Sequence, residues 1–419
     1  MTALRPNRQR SLIALVQILG LSVWFSAAAV VPNLRAEWGF GSMASGWLTT
    51  SVQIGFAAGA VASTLLHLAD RITPQHLLAA GAACAATCTA ALAVLAHGLC
   101  EAIPLRFLTG VALAGVYPVG MKLMASWSES ADRGQWFGIL IGSLTLGSAF
   151  PHLISGLGPL PWRTVMAIAA TLSAAGAAIA VMAIVPGPHL DKRPIIPNPR
   201  HLMAMFAERG FRLTNAAYFG HMWELYALWT WLPTFLRAGR QQTSDGGGTS
   251  TAIISFCAIG IAGTAGCLLG GWASDRFGRS AAAVTALVIS AACCVASPFF
   301  FTATTPALVM FLLVWGAAVI ADSGVFSTSL SEIANKSLVG TALTAQTAVG
   351  FLLTVVTVQL VPVAADLVGW QYAFLLLAPG PVIGAGAMAA LGAREPPHAR
   401  KEKPNDLQLD AHSYGWPDR

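Results

Sequence analysis

Charged residues are scarce in this chain, and their scarcity limits the class of protein. Of its 419 residues only 10% are Asp, Glu, Lys or Arg, while 55% are hydrophobic. An average soluble domain carries roughly a quarter charged residues. A water-soluble chain of this length would need polar surfaces for two or three domains. The composition therefore excludes a water-soluble multidomain protein and predicts a chain that lies mostly in lipid.

Metal-binding and nucleotide-binding motifs are also missing. The seven cysteines form no C-x-x-C pair and lie almost wholly inside apolar runs. They are expected to be small packing residues, so neither a disulfide framework nor a zinc site is indicated. The sequence has no G-x-x-x-x-G-K-S/T loop, so ATP is not the expected energy source. No cofactor and no metal are expected.

Long apolar runs are what the sequence does contain. A helix needs ~20 apolar residues to cross a bilayer core of ~30 Å, so runs of that length predict spans. The first half has six, at roughly 11–32, 44–66, 75–97, 103–127, 135–157 and 163–186. The second half has six more, at roughly 213–236, 251–273, 281–302, 306–331, 340–363 and 370–393. The predicted fold is an all-α membrane protein with twelve transmembrane helices in two pseudo-symmetric six-helix bundles.

Composition also divides the chain. The Pro-rich segment 187–212 is predicted to be a cytoplasmic linker between an N-terminal bundle, 1–186, and a C-terminal bundle, 213–393. The charged tail, 394–419, is predicted to be disordered. If the N-terminus is cytoplasmic, the segments on the cytoplasmic side hold 18 of the 24 Lys and Arg. This asymmetry predicts a bacterial inner-membrane protein with both termini in the cytoplasm. The first apolar run is too long for a signal peptide, so an uncleaved first span is favoured.

The spacing of the basic residues indicates the partners. They lie in short clusters between apolar runs, as expected for charges that set membrane topology. The expected partner is therefore membrane lipid and not nucleic acid. A monomer is expected.

An internal repeat relates the two halves. Asp70-Arg71 follows the second run and Asp275-Arg276 follows the eighth, at an offset of 205 residues. Gly134 precedes the fifth run and Gly340 precedes the eleventh, at an offset of 206. Two independent landmarks thus give nearly the same period. A duplicated six-helix unit of this kind is typical of transporters that hold their site between the repeats.

Two motifs carry a resemblance to a known family. The segment 271–279 reads Gly-Trp-Ala-Ser-Asp-Arg-Phe-Gly-Arg and is similar to the cytoplasmic G-x-x-x-D-R-x-G-R loop of the major facilitator superfamily. Its first-half copy has Leu66 in place of Gly, and Thr73-Pro74 in place of Gly-Arg. Arg106 to Gly110 resembles the family's R-x-x-x-G motif. With the span count, the resemblance covers roughly residues 10–393 and implies that spans one, four, seven and ten line a central cavity.

The branch of the family is less sharply defined. The chain is loosely similar to the nitrate/nitrite and cyanate transporter branch. Nitrate carriers use Arg in the second and eighth helices, whereas here these runs contain Gln53 and no Arg. Drug antiporters usually carry a Gly-Pro pair in the fifth helix, which this fifth run lacks. Both nitrate transport and drug efflux are therefore disfavoured.

Ionisable groups at mid-bilayer depth are the candidates for proton coupling, because each one costs ~2.5–3.5 kcal/mol to insert. Glu224 lies at the centre of the seventh run with His221 one turn earlier on the same face, and Asp322 lies near the centre of the tenth. A carboxylate shielded from water can take up and release a proton. The alternative for each carboxylate is a structural hydrogen bond between helices. His221 could relay the proton or donate such a bond, and the His221–Glu224 pair alone is thin grounds for a metal site.

Arg106 and Tyr117 are the candidates for substrate contact in the fourth run, where both lie on one face. A guanidinium offers five fixed donors that suit an anion. The alternative for Arg106 is a structural partner of helix ends or of Glu101. Aromatic residues near span ends are more often interfacial anchors, so only Trp24, Tyr226 and Trp229 are predicted to line the cavity. Four glycines of the eighth run, Gly260, Gly263, Gly266 and Gly270, are interpreted as close helix packing.

The loop motifs are predicted to form a cytoplasmic gate. When the cytoplasmic side is closed, their charged side chains would bind helix ends of the opposite half. The alternative is a charge cluster that only sets topology. The predicted gate residues are Asp70, Arg71, Gly271, Asp275, Arg276, Gly278 and Arg279.

The sequence thus predicts a secondary transporter and not an enzyme, moving a small organic anion with protons by alternating access. Proton-driven efflux of a drug-like or metabolite compound is the alternative within the class, and a sensor without transport is a third possibility. A membrane-embedded enzyme would need a cluster of nucleophiles or metal ligands at one depth, and no such cluster is found in the sequence.

Overall fold

The computed structural model describes residues 6–128, 133–190, 208–242, 248–333 and 339–393. Within these ranges the chain is helical, with turns and without strands. This confirms the all-α class. Helices suit a chain in lipid because each one satisfies its own backbone N–H and C=O groups without water.

The first half contains spans 1 to 6, numbered in chain order. Spans 1 and 4 are each built from two helices, and a short helix, Leu68–Arg71, follows span 2. The helices are Pro6–Leu21 and Ser26–Trp38 (span 1), Ser42–Leu65 (span 2), Pro74–Leu95 (span 3), Leu99–Leu113 and Tyr117–Trp127 (span 4), Arg133–Gly156 (span 5) and Trp162–Ala183 (span 6).

The second half contains spans 7 to 12. The helices are Arg209–Gln242 (span 7), Gly248–Phe256 and Gly263–Phe277 joined by the π-helical turn Cys257–Ala262 (span 8), Arg279–Phe300 (span 9), Thr305–Ala321 and Ser323–Ile333 (span 10), Val339–Val368 (span 11), and Trp370–Ala373 with Pro379–Gly392 (span 12). A 3-10 turn, Phe374–Leu377, joins the two parts of span 12.

All twelve predicted runs coincide with helices. Among the described residues, 11 stretches are long and apolar enough to cross a membrane. Span 7 is not among them, because its 34 residues include several polar and charged side chains. It begins at Arg209, four residues before the predicted start, and ends at Gln242, six residues after the predicted end.

Three spans are broken at mid-length. Span 1 is interrupted at residues 22–25, where the hydroxyls of Ser22 and Ser26 donate to the carbonyls of Leu19 and Val23. Such side-chain bonds compete with the helical ladder. Span 4 is interrupted at 114–116, just before Pro118, which has no N–H to bond to the preceding turn.

Span 10 is interrupted at Asp322, which is followed by Ser323 and Gly324. The three broken spans are three of the four that the family resemblance assigns to the cavity. A break exposes backbone groups that a continuous helix would use internally. These breaks therefore provide polar atoms at a depth where lipid offers none.

The two halves meet along two pairs of spans. Span 2 lies against span 11, where Gln359 Nε2 is 3.2 Å from Thr50 Oγ1 and Thr64 Oγ1 is 3.4 Å from Thr344 Oγ1. Span 5 lies against span 8, where the Thr264 hydroxyl donates to the Gly142 carbonyl at 3.0 Å. Span 2 contacts span 11 near both of its ends, so the halves are in contact at both sides of the membrane along this line.

Glycines of span 8 allow close approach on two sides. A Cβ at Gly266 or Gly270 would collide with the backbone of Ala317 or Ala321 in span 10. A Cβ at Gly263 would press on the side chain of Thr145 in span 5. The packing interpretation of these glycines is confirmed, since the small residue lets helix backbones touch.

The start of the predicted linker packs against the first half. The N–H groups of Gly187 and His189 donate to the side chain and the carbonyl of Ser126, at 2.9 and 3.0 Å. The Trp127 indole donates to the Val185 carbonyl at 2.8 Å. Most of the predicted linker, 191–207, and the predicted tail, 394–419, lie outside the described residues.

Candidate functional site

Six aromatic rings meet where the two halves face each other, and we call them the central aromatic cluster. Trp24 lies 5.1 Å from Phe56, 5.6 Å from Phe351 and 6.0 Å from Tyr226, measured between ring centroids. Tyr226 lies 5.9 Å from Phe25. The first half contributes Trp24, Phe25 and Phe56, and the second half contributes Tyr226, Trp229 and Phe351.

One pair of residues in the cluster is related by the internal repeat. Trp24 lies in the break of span 1, and Trp229 lies 205 residues later in span 7, which is the period of the internal repeat. Phe25 packs edge-on against Trp229 at 5.7 Å. The structure thus brings together the three aromatic residues predicted to line the cavity. It adds Phe25, Phe56 and Phe351, which sequence reasoning missed.

Polar atoms at the edge of this cluster lack partners among the described residues. The indole N–H groups of Trp24 and Trp229 are buried without an acceptor. Neither amide atom of Gln53, fully buried one turn from Phe56, has a partner. Buried polar groups are nearly always hydrogen-bonded, so such orphans mark a place where a further molecule could bind.

Tyr117 begins the second helix of span 4, directly after the break. It is half-buried and packs against the hydrophobic core that contains the central aromatic cluster. The break therefore places this ring against the same core. Tyr117 and Arg106 were both predicted to contact substrate, but they lie on opposite sides of the break in span 4.

Arg106 is fully buried and braces the break in span 1. Its Nε donates to the Leu48 carbonyl at 3.1 Å, and Nη1 donates to the Val23 carbonyl at 3.0 Å and to the Ser26 hydroxyl at 3.3 Å. Its Nη2 donates to the Trp24 carbonyl. Within the described part of the chain, no carboxylate lies within 4 Å of the guanidinium. These contacts are the ones expected of the structural alternative, and substrate contact by Arg106 stays a prediction.

Glu224 points away from the first half, into its own bundle. Its Oε1 accepts hydrogen bonds from the Ser290 hydroxyl at 2.7 Å, the Trp315 indole at 2.6 Å and the Cys294 thiol at 3.2 Å. These donors belong to spans 9 and 10. Three neutral donors therefore converge on one oxygen of a side chain that is 1% exposed. The second oxygen accepts no hydrogen bond from the described residues and is the atom free to bind a proton.

His221 and Asp322 form a buried pair at the break of span 10. Nδ1 of His221 lies 2.8 Å from Oδ1 of Asp322, and the side chains are 2% and 1% exposed. The contact is close but poorly aligned for a hydrogen bond, and neither atom has another partner among the described residues. The other ring nitrogen, Nε2, lies 2.9 Å from the Ser323 hydroxyl. The His221 imidazole thus contacts both Asp322 and Ser323, where span 10 is interrupted.

The two acidic sites share spans 7 and 10. Trp315, which binds Glu224, and Asp322, which contacts His221, lie two turns apart on span 10. No cation lies within 4 Å of Glu224 in the described ranges. The contacts are therefore neutral around Glu224, whereas Asp322 contacts an ionisable side chain.

The predicted gate residues lie at the ends of their helices. Asp275 and Arg276 are exposed at the end of span 8, and Gly278 turns the chain with a φ of 90°, a conformation that favours glycine. Arg279 begins span 9. Arg71 is exposed at the end of the short helix after span 2, which also includes Asp70. Asp275 makes no ion pair with a described residue, so the gating role stays a prediction.

Some site residues had a weak sequence signal. Ser290 and Cys294 are four residues apart on span 9, which places two small polar side chains on one face of an apolar helix. Trp315 shares a face with Asp322. Among the described residues, no group of three or more His, Cys, Asp or Glu could hold a metal ion.

Twelve helical spans within the described ranges, six in each half and three of them interrupted, define a multi-pass integral membrane protein of the secondary-transporter class. The sequence matches the family model of the Major Facilitator Superfamily over residues 13–358 and 265–413. The chain belongs to this superfamily. Its relatives and structural neighbours are transporters and not enzymes.

Two curated relatives are similar to parts of the chain. It is 30% identical over 147 residues to the niacin transporter NiaP of Acinetobacter baylyi, a match that covers 34% of this chain and 33% of that protein. It is 26% identical over 282 residues to the gallate transporter of Pseudomonas putida, which covers 59% of this chain and 61% of that protein. The chain thus spans about a third and about three fifths of these relatives.

Solved structures show the same fold. The nucleoside transporter NupG has a TM-score of 0.70 at 16% identity, covering 92% of this chain and 100% of that chain. The xylose transporter XylE from E. coli, in a partially occluded inward-open conformation, has a TM-score of 0.71 at 13% identity, covering 92% and 99%. At these identities the likeness concerns the fold alone.

Proposed function

We propose that the protein carries a small organic anion together with protons, by rocking one half against the other. The observation that supports this most is the His221–Asp322 pair, buried at the break of span 10. An imidazole and a carboxylate in contact can share one proton, take up a second or release both, so the pair changes charge without leaving the bundle. A carrier needs such a group if proton movement is to drive solute movement.

Glu224 is proposed as a second proton site. Its surroundings contain donors and no cation within 4 Å, so no fixed positive charge holds it ionised. Intramembrane carboxylates are costly and are usually retained for function. The arrangement couples spans 7 and 10, the two spans of the second half that the resemblance places at the cavity.

An organic anion is supported by the names of the relatives. Niacin and gallate are both small carboxylic acids, and the proteins named for them match this chain over one third and three fifths of their lengths. Trp24, Tyr226, Trp229 and Tyr117 are proposed to border the site. Arg106 is proposed to act through its brace on span 1, because its donors are engaged by carbonyls and a hydroxyl.

The setting is proposed to be the bacterial inner membrane, with both termini in the cytoplasm and a monomeric carrier. The Lys and Arg of the loops support that orientation, since positive charge favours the cytoplasmic side. The charges after spans 2 and 8 are proposed to gate that side. They lie at helix ends, which a rocking motion of the halves would move apart.

The test is transport by purified protein in proteoliposomes. A thermal-shift screen of metabolite anions, nicotinate and gallate included, selects the solute, and its uptake is measured with and without an imposed pH gradient. We expect the gradient to change the rate. We expect Glu224→Gln and Asp322→Asn to abolish the pH-driven component while solute exchange without a gradient persists.

A matched control separates coupling from loss of charge. Glu37 is a half-exposed carboxylate that pairs with Arg163 at 3.2 Å, far from the cluster. Glu37→Gln should leave the pH-driven component unchanged. Uptake that ignores the pH gradient in the wild-type chain would contradict the proposal.

A further inference from the structure

We propose that the substrate is a planar aromatic carboxylate, held flat between the rings of the central aromatic cluster. The inference rests on the proposed function and names the substrate class of that site. The cluster contains rings that face each other: Trp24 and Tyr226 are inclined by 17° at 6.0 Å, and Phe25 and Tyr226 by 8° at 5.9 Å. These near-parallel faces pack against each other across the boundary between the halves, and we call the space that would open between them the slot.

The slot is closed in this structure and lies on the boundary between the halves. Trp24 belongs to the first half and Tyr226 to the second, with ring centroids 6.0 Å apart. Rocking that separates the halves would therefore part these two faces. A planar guest in van der Waals contact with both faces needs ~3.5 Å on each side, and a saturated ring, which is thicker, needs a wider opening.

The edge of the slot supplies donors for a carboxylate. The indole N–H groups of Trp24 and Trp229 are buried and have no acceptor among the described residues, and the Gln53 amide is also unpartnered. One indole belongs to each half, at positions one repeat apart. A carboxylate accepts several hydrogen bonds at once, and N–H donors bind it more strongly than they bind a neutral acceptor.

The charge near the slot favours an anion. Arg106 is bonded to the Trp24 carbonyl, is fully buried, and has only carbonyl and hydroxyl partners. Its positive charge is therefore not cancelled by a carboxylate within 4 Å in the described ranges. In a poorly screened interior, that charge attracts an anion across the indole without touching it.

A sugar-like or nucleoside-like guest fits these walls less well. Such a molecule needs many hydrogen-bond partners around its rim, whereas six ring faces dominate here. Each buried hydroxyl without a partner would carry a desolvation penalty. Aromatic pairs gain stabilisation beyond their buried area, so stacking on these rings would stabilise a flat aromatic guest.

The first test needs no variant. Binding to the full chain in lipid nanodiscs is measured by calorimetry for two matched pairs of probes: benzoate against cyclohexanecarboxylate, and 4-hydroxybenzoate against 4-hydroxycyclohexanecarboxylate. We expect the aromatic member of each pair to bind about 10-fold more tightly, from stacking on two faces. Equal affinity within both pairs would overturn the proposal.

The second test removes the donors and keeps the rings. Trp24→Phe and Trp229→Phe should each weaken benzoate binding by about 10-fold, because a hydrogen bond to a charged group is lost. Trp38→Phe is the control: its indole N–H is also unpartnered, but it lies with Trp162 in a separate hydrophobic cluster near the end of span 1. Loss of affinity that is equal in all three variants would contradict the contact.

The two proposals fail separately. If saturated and aromatic carboxylates bind equally and a pH gradient still drives their uptake, the aromatic class is wrong and proton coupling stands. If aromatic carboxylates bind selectively but their flux ignores the pH gradient, proton coupling is wrong and the aromatic class stands.

Discussion

Each half of the molecule buries charge within its spans, but the surroundings of that charge differ between the halves. In the first half a cation, Arg106, is surrounded by backbone carbonyls and one hydroxyl at the break of span 1. In the second half Glu224 receives three neutral donors, and His221 contacts Asp322 at the break of span 10.

The difference separates fixed charge from exchangeable charge. A guanidinium does not give up its proton in a protein, so a buried Arg can organise structure and supply potential but cannot carry protons. Carboxylates and imidazole can bind and release protons. In the proposed mechanism the first half therefore supplies the frame of the site, and the second half supplies the groups proposed to couple it to a proton gradient.

The largest expected effect comes from removing the brace. Arg106→Met should lower the free energy of unfolding by about 3–5 kcal/mol, because several buried carbonyls lose their donors at once. Thermal unfolding of the detergent-purified protein measures this. Arg163→Met is the control: that side chain is partly exposed, pairs with Glu37 and donates to the Ala93 carbonyl at 2.8 Å, so its loss should cost less, about 1–2 kcal/mol.

Arg106→Lys sharpens the same comparison. Lysine keeps the charge but has three donors and no planar fork. If the brace is the role, affinity for carboxylate and neutral probes should fall by the same factor. A selective loss of carboxylate binding would show direct contact with the substrate instead.

A smaller effect is expected at the proton pair. His221→Gln keeps a polar partner for Ser323 but cannot gain a charge, so transport should depend less on pH than it does in the wild-type chain. Initial rates at a series of pH values, at constant gradient, measure it. His97→Gln, an exposed site at the end of span 3, should keep the wild-type profile.

The smallest effect is expected at the predicted gate. Asp275→Asn should reduce turnover a few-fold and leave substrate affinity unchanged, because the residue lies at the exposed end of span 8, outside the central aromatic cluster. Counterflow rates and calorimetric affinities of one preparation measure both. Unchanged turnover would favour the alternative of a charge that only sets topology.

Composition and the internal repeat were enough to predict the spans, because lipid requires long apolar helices and leaves few other structures. The breaks were harder to foresee. Span 1 has no Pro or Gly in 22–25, and the interruption depends on serine hydroxyls that bond locally and on a guanidinium from span 4. Such tertiary partners cannot be predicted from hydrophobic periodicity.

The site was predicted in part for a similar reason. Depth in the membrane identified Glu224, His221 and Asp322 as buried, but the direction in which each side chain points depends on how span 7 is rotated in its bundle. Glu224 turns toward Ser290 and Cys294, away from the other half. Phe351 and Phe56 meet at 4.4 Å only because spans 2 and 11 pack against each other.

The most direct test of proton coupling measures both fluxes at once. Proteoliposomes containing the protein and a weakly buffered lumen report proton movement through a trapped pH dye while labelled carboxylate uptake is counted. The account predicts that each carboxylate moves with a constant number of protons and that Asp322→Asn abolishes the proton signal. Carboxylate uptake at full rate without proton movement would contradict it.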